Sequence, residues 1–188
     1  MIKIGITGSL GSGKTTASKL IAKGRGPIFS ADSEVKKLYK EKKFQYLISK
    51  KFNIKKNFNL KKELKKKILS KSIYIKRLEK LIHPIVRKKM FKFFNKNKHI
   101  KFLICEIPLL IESKLMKYFD KIIFIKSSKK IRLKRYILSG GDKKLFFLLD
   151  KKQFKDTKKM AMCDYVVVNN TSLIILKKKL SNIIITNE

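Results

Sequence analysis

The sequence is poor in acidic residues and cysteine, and it has no tryptophan. Its 188 residues contain only 13 acidic side chains against 49 basic ones, which gives a formal net charge of +36. The two cysteines, Cys105 and Cys163, lie far apart and without paired histidines, so neither a disulfide framework nor a zinc site is indicated. No apolar run approaches the length of about 18 residues that a membrane-spanning helix requires. We therefore expect a globular protein with reduced cysteines and no contact with a membrane.

The excess of positive charge does not by itself indicate a nucleic-acid-binding protein. The lysines are spread through every predicted helix, a bias that an AT-rich coding sequence would produce on solvated surfaces. We expect weak, salt-sensitive attraction to polyanions and no specific nucleic-acid surface. The N-terminus lacks the basic and apolar regions of a secretory leader, so we expect a cytoplasmic protein. Arginine is rare and occurs only as Arg25, Arg77, Arg87, Arg132 and Arg135.

The segment from Gly8 to Thr15 fits the phosphate-loop pattern G-x-x-x-x-G-K-[ST]. Its glycines allow backbone N–H groups to converge on phosphate oxygens. Residues 1–6 predict a buried strand, and the apolar residues of 16–23 recur at helical spacing, so the motif has the strand and helix that it requires. The sequence therefore predicts a nucleoside triphosphate site formed by Gly11, Ser12, Gly13, Lys14, Thr15 and Thr16.

Two side chains of this loop have specific predicted roles. Lys14 would reach the β- and γ-phosphates as a positive charge. The hydroxyl of Thr15 would bind a Mg²⁺ ion that bridges the same phosphates.

Two further predicted strands each have an acidic residue at or just after their carboxyl end. Asp32 follows the apolar pair Ile28 and Phe29, at the sheet edge where ligands bind in doubly wound folds. The alternative is that Asp32 only caps the helix that follows. Glu106 lies near the end of the apolar stretch 102–107, which resembles a second nucleotide-binding element whose carboxylate holds Mg²⁺ directly or through water.

Five short apolar stretches alternate with helical patterns and predict an α/β fold. Its parallel sheet of five strands would be covered by helices on both faces of one domain, residues 1–188. Apolar stripes at helical spacing between about 41 and 98 predict a helical, substrate-binding insertion, with a break at Pro84. The predicted strands are 1–6, 28–29, 102–107, 122–125 and 164–168.

Residues of about 128–155 predict a pair of helices joined at Gly140 and Gly141. Such a pair has the form of a lid that closes over phosphates. Arg135 on its first helix is placed to stabilise charge on the transferred phosphoryl group, whereas Arg132 is expected on a solvated basic surface.

Taken together, the motifs resemble those of the dephospho-CoA kinases, and the resemblance runs nearly from end to end. The phosphate loop is common to many kinases, but the other segments in this order and spacing are typical of this family. The matching segments are G-I-T-G-S-L-G-S-G-K-T-T at 5–16, S-A-D at 30–32, L-I-H-P-I-V-R at 81–87, I-P-L-L-I-E at 107–112 and C-D-Y-V-V-V-N-N at 163–170.

The resemblance implies a P-loop kinase fold and ATP-dependent phosphorylation of the ribose 3′-hydroxyl of dephospho-CoA, the last step of coenzyme A biosynthesis. It implies that Asp32 orients or deprotonates the attacking hydroxyl, while Lys14 holds the triphosphate and Arg135 closes over it. ATP, Mg²⁺ and dephospho-CoA would be the small-molecule partners of a monomer or weak homo-oligomer. The acceptor site would be lined by His83, Arg87, Pro108, Leu109 and Leu110.

Two positions depart from the family pattern. Ser30 stands where the family usually has Asp, and Ser139 stands near a usual lid arginine, whose place Arg135 or a lysine would take. Two other functions fit parts of the sequence. A nucleoside monophosphate kinase would share the loop and the lid, and a basic nucleic-acid-stimulated NTPase would explain the charge.

Overall fold

A computed structural model describes residues 1–55 and 59–185, without the side chains of 184 and 185. Within these residues, five parallel strands form one sheet in the order β2-β3-β1-β4-β5. The predicted α/β class and the parallel sheet of five strands are confirmed. The strands are β1 (Ile2–Thr7), β2 (Ile28–Ser30), β3 (Phe102–Glu106), β4 (Lys121–Lys126) and β5 (Tyr165–Val168).

The described residues also form α-helices and one short 3-10 helix at Met116–Tyr118. The insertion predicted at about 41–98 coincides with the three helices Lys42–Phe52, Leu60–Ser70 and Ile73–Lys96. The lid predicted at about 128–155 coincides with the two helices Lys129–Leu138 and Lys143–Lys152. Residues 56–58 and 186–188 of the predicted domain lie outside the described residues. The helices are α1 (Lys14–Ala22), α2 (Ala31–Leu38), α3 (Lys42–Phe52), α4 (Leu60–Ser70), α5 (Ile73–Lys96), α6 (Lys129–Leu138), α7 (Lys143–Lys152), α8 (Asp156–Met160) and α9 (Leu173–Ile185).

The chain divides into two compact units, and the first contains the sheet. It comprises Met1–Ala31 and Phe93–Glu188. On one face of β1, Ile4 and Ile6 pack in a core shared with α1 and α9. On the other face, a Cβ at Gly5 would lie 2.7 Å from Leu110 Cδ1, so this glycine permits close packing of the turn after β3.

A buried ion pair connects α8 to the turn that follows β3 in the first unit. The ammonium group of Lys159, which has no exposed surface, lies 2.8 Å from Glu112 Oε1. The same carboxylate oxygen accepts a 3.1 Å hydrogen bond from the N–H of Phe154. Because a buried charge is costly without a partner, this pair holds α8 to the turn that follows β3.

The second unit, Asp32–Lys92, is helical and has its own core. The predicted apolar stripes supply this core, with Phe44, Ile48 and Leu64 buried. The predicted break at Pro84 is wrong, because α5 continues through it. Proline removes one helical hydrogen bond, but Ile82 and Val86 on either side pack in the core of this unit and support the helix.

Candidate active site

The phosphate loop connects β1 to α1 and depends on two glycines with left-handed backbone angles. Gly11 has φ 76° and Gly13 has φ 93°. A Cβ at Gly11 would lie 2.5 Å from the carbonyl oxygen of Arg132 on α6, and one at Gly13 would collide with Asn169 Nδ2. Larger residues are therefore excluded both by backbone strain and by close neighbours.

Lys14 and Ser12 present donors in the loop. Lys14 Nζ donates to the carbonyl oxygens of Gly8 and Ser9, at 3.0 and 3.1 Å. Lys14 is the first residue of α1, a helix end that attracts anions. The buried hydroxyl of Ser12 has no hydrogen-bond partner among the described residues. These groups fit a ligand that carries several anionic oxygens.

The hydroxyl of Thr15 faces a buried carboxylate. Its Oγ1 donates a 2.6 Å hydrogen bond to Glu106 Oε1, and Glu106 is only 2% exposed. The parallel register of β1 and β3 places Glu106 opposite Ile6, just before the loop. A hydroxyl beside a carboxylate is a donor set that suits Mg²⁺, which prefers oxygen ligands.

The described residues contain no group of three or more His, Cys, Asp or Glu side chains that could hold a metal ion. Mg²⁺ in nucleotide-binding proteins is commonly bound through one or two protein oxygens together with substrate phosphates and water. The Thr15 and Glu106 side chains therefore fit the ion that the motif implies.

Arg135 contacts the phosphate loop at its base. Its NH1 group lies 3.3 Å from the carbonyl oxygen of Ser12, 3.2 Å from Ser127 Oγ and 3.1 Å from the carbonyl oxygen of Asn169. The guanidinium group therefore joins α6 to the loop and to the residues that follow β4 and β5.

Arg132 is not on a solvated surface, and that expectation is wrong. It is 6% exposed, and its guanidinium group donates to the carbonyl oxygens of Leu10 and Ser127, both at 3.2 Å. Its NH1 also forms a 2.6 Å ion pair with Asp150, and the group lies over the ring of Phe146. The charge is buried because it pairs with a scarce carboxylate and with loop carbonyl groups.

The segment between α7 and α8 and the first residue of α8 also contact the loop. The hydroxyl of Ser9 donates to Asp156, and the N–H of Leu10 lies 3.2 Å from Gln153 Oε1. Part of the predicted lid segment and the residues just after it therefore contact the outer end of the loop.

The predicted acceptor residues lie in both units. Asp32 is exposed in the first turn of α2, two residues after β2. His83 and Arg87 lie one turn apart on α5, and burial lowers the pKa of His83, with Arg87 adding to this and Glu79 opposing it. Of the Pro108–Leu110 turn, Leu110 is fully buried beside Gly5, so in this structure it supports the turn from within the core.

Three residues near the loop were absent from the predicted site or given no firm role there. Glu106 was noted only for its resemblance to a second nucleotide-binding element, Asn169 appeared only within the matching segment 163–170 with no role of its own, and Ser127 was not identified. All three lie at or just after the carboxyl end of a strand. Polar residues at strand ends are the signal that could have identified them, because ligands bind at this edge of a parallel sheet.

The helices of the described part of the chain include none that is both long and apolar enough to cross a membrane.

The sequence matches a known protein family over almost its whole length. The family model for dephospho-CoA kinase matches residues 2–174. A dephospho-CoA kinase from Rickettsia bellii is 32% identical over 98% of this chain and 96% of its own. One from Bartonella henselae is 30% identical over 87% of each chain.

Similar solved structures support the same fold. The Thermus thermophilus protein TT1252 superposes with a TM-score of 0.79 at 23% identity, covering 100% of this chain and 98% of its own. A dephospho-CoA kinase from Campylobacter jejuni has a TM-score of 0.63 at 21% identity, and the match covers 98% of this chain and 96% of the C. jejuni chain. A shikimate kinase from Acinetobacter baumannii has a TM-score of 0.59 at 15% identity, and the match covers 100% of this chain and 95% of the A. baumannii chain. These structures show the P-loop kinase fold, and the family match is more specific: the chain belongs to the dephospho-CoA kinase family.

Proposed function

We propose that this protein transfers the γ-phosphoryl group of ATP to the ribose 3′-hydroxyl of dephospho-CoA, giving CoA and ADP in the last step of coenzyme A biosynthesis. The observation that carries this proposal is the family match over residues 2–174, which includes the complete phosphate loop. Phosphoryl transfer depends mainly on positioning and on electrostatic stabilisation, and the loop offers both.

The ATP site is proposed to consist of Gly11, Ser12, Gly13, Lys14, Thr15 and Thr16. Backbone N–H groups at the start of α1 would donate to phosphate oxygens, and Lys14 would neutralise charge on the β- and γ-phosphates. Arg135 would add positive charge beside the loop, and its contact with the carbonyl oxygen of Ser12 supports this role. The α6–α7 region would act as the lid.

Thr15 is the proposed magnesium ligand, with Glu106 beside it. Their 2.6 Å hydrogen bond supports this proposal, because the two oxygens lie side by side near the start of α1. A bound Mg²⁺ ion would neutralise charge on the β- and γ-phosphates. Glu106 would orient the Thr15 hydroxyl and supply the negative charge that favours a divalent cation there.

Asp32 is proposed to orient the 3′-hydroxyl of the acceptor and to accept its proton. Its place two residues after β2 supports this role, because carboxyl ends of parallel strands carry ligand-binding groups. His83, Arg87 and the Pro108–Leu110 turn would bind the acceptor. The lowered pKa of His83 favours a neutral imidazole at pH 7, which can donate one hydrogen bond and accept another.

We also propose a cytoplasmic protein that acts as a monomer or weak homo-oligomer and has no specific nucleic-acid partner. The even spread of lysine supports the last point, because a binding surface would concentrate positive charge on one face.

A mass-spectrometric endpoint assay tests the reaction. Purified protein with Mg-ATP is offered dephospho-CoA, shikimate and several nucleoside monophosphates separately. We expect dephospho-CoA alone to gain one phosphoryl group. Phosphorylation of another acceptor instead would contradict the proposed substrate, and nucleotide hydrolysis that requires a polynucleotide would favour the NTPase alternative.

Replacing the loop lysine should disable transfer. Lys14→Ala removes the positive charge that would lie beside the triphosphate, so it should lower kcat/KM for ATP by about 10²–10³-fold or more. Lys19→Ala, which removes an exposed lysine from the same helix, is the matched control and should retain wild-type kinetics. Near-normal turnover of Lys14→Ala would contradict the assignment of the loop.

Replacing Asp32 should affect the chemical step more than nucleotide binding. Asp32→Asn keeps the shape but removes the proton acceptor, so kcat should fall by about 10²-fold or more while ATP affinity changes little. Steady-state kinetics and direct ATP titration measure both quantities. Glu41→Gln, at an exposed carboxylate of the same helical unit, is the control. Weakened ATP binding with an unchanged kcat would contradict a role of Asp32 in the chemical step.

Removing the charge of Glu106 should raise the requirement for magnesium. Glu106→Gln retains an oxygen near Thr15 but loses the carboxylate charge, so the Mg²⁺ concentration for half-maximal activity should rise by about tenfold or more. Titration of activity with Mg²⁺ at saturating ATP measures this, with Glu41→Gln again as the control. An unchanged magnesium curve would show that Glu106 has no part in the metal site.

A further inference from the structure

We infer that Asn169 is a positioning residue of the phosphate loop, which fixes the peptide between Ser12 and Gly13 so that its N–H group faces the ATP phosphates. This inference rests on the proposed use of ATP, but it concerns a residue in the loop after β5, far from the phosphate-loop motif in sequence. Asn169 is 6% exposed, and its side chain lies against Gly13.

Side chains from three other segments lie within hydrogen-bond distance of the carbonyl oxygen of Ser12. Asn169 Nδ2 donates to it at 2.9 Å, Ser127 Oγ lies at 3.2 Å and Arg135 NH1 at 3.3 Å. The Ser127 hydroxyl has one proton, and its shorter contact, 2.7 Å, is to the carbonyl oxygen of Asn169. Asn169 therefore donates the shortest hydrogen bond to the carbonyl oxygen of Ser12. Arg135 donates the other one, because the Ser127 proton is directed to Asn169.

This hydrogen bonding determines the direction of the next N–H group. The peptide between Ser12 and Gly13 is planar and trans, so its C=O and N–H bonds point in opposite directions. When the donors hold the carbonyl on their side of the loop, the N–H of Gly13 points to the opposite side. Phosphate-binding loops act through such oriented N–H groups.

Asn169 itself has little freedom to move. Its N–H donates to the carbonyl oxygen of Lys126 at 2.8 Å, which extends the pairing of β4 with β5. Its carbonyl oxygen accepts from Ser127 and Arg135, and its side-chain Oδ1 lies 3.5 Å from Arg135 NH2. The donor that holds the loop is therefore attached to the end of the sheet.

The contact also gives a second reason for glycine at position 13. A Cβ there would lie only 2.2 Å from Asn169 Nδ2. The absent side chain thus makes room for the amide that holds the preceding carbonyl group, in addition to allowing the φ angle of 93°.

The test replaces the donor without changing the size of the side chain. In Asn169→Asp, a carboxylate oxygen faces the Ser12 carbonyl and cannot donate, while Arg135 keeps a partner. Asn170→Asp is the matched control, because it adds the same charge one residue away. Asn170 accepts from the N–H of Ser128 through Oδ1, and an aspartate can do the same. ATP affinity is measured by titration without acceptor, alongside KM for dephospho-CoA and the melting temperature.

We expect Asn169→Asp to weaken ATP binding by about tenfold or more relative to Asn170→Asp, with KM for dephospho-CoA within about twofold of wild type. A merely structural role would lower the melting temperature and affect both substrates alike. ATP affinity equal to that of Asn170→Asp would overturn the inference, and so would equal losses for both substrates.

A second variant covers the case in which Asn169→Asp does not fold. Ser127→Ala adds no charge and removes the hydroxyl that holds the carbonyl oxygen of Asn169, so it should weaken ATP binding by about threefold or more. Unchanged ATP affinity in this variant would then overturn the inference. If wild type binds ATP but does not phosphorylate dephospho-CoA, the proposed function fails, while the ATP titrations still test the role of Asn169.

Discussion

The structure around the active site depends on how the carbonyl groups of the phosphate loop are held. A loop that binds phosphates must direct N–H groups towards the ligand, so its carbonyl groups need other partners. Lys14 binds those of Gly8 and Ser9, Arg132 binds that of Leu10, and the cluster around Asn169 binds that of Ser12. These donors come from α1, α6 and the end of β5, so the sheet and its helices together determine the shape of the loop.

The shortage of acidic residues makes their positions informative. With 13 carboxylates against 49 basic side chains, most positive charge stays on the surface. Around the loop, however, carboxylates pair with specific partners: Glu106 with Thr15, Asp150 with Arg132, and Asp156 with Ser9. A buried arginine such as Arg132 requires such a partner. The few carboxylates near the phosphate loop are therefore each paired with a specific side chain, whatever the net charge of +36 on the whole chain.

Local sequence patterns were enough to predict the sheet, the phosphate loop and the core of the helical unit. Patterns within a few residues determine these features: apolar runs for strands, spacing for helices and glycines for the loop. The contacts that hold the loop were not predicted, because they join distant residues. Thr15 and Glu106 are 91 positions apart, and Ser12 and Asn169 are 157 apart. Only the strand order and register of the folded sheet bring them together.

The two wrong expectations have the same physical origin. Arg132 was assigned to a solvated surface because helical spacing does not show which neighbour a basic side chain meets. The break at Pro84 followed from a local rule, whereas the apolar residues around it pack in the core of the helical unit. In both cases tertiary contacts outweighed local preference.

The most direct test of the account is the position of the phosphate in the product. Phosphorus–proton coupling in the NMR spectrum of the product made from dephospho-CoA and Mg-ATP identifies the esterified hydroxyl. We expect a single new monoester at the ribose 3′ position, with one ADP released per product. A phosphate at the 2′-hydroxyl or on the pantetheine arm, or ADP formed without any phosphorylated acceptor, would contradict it.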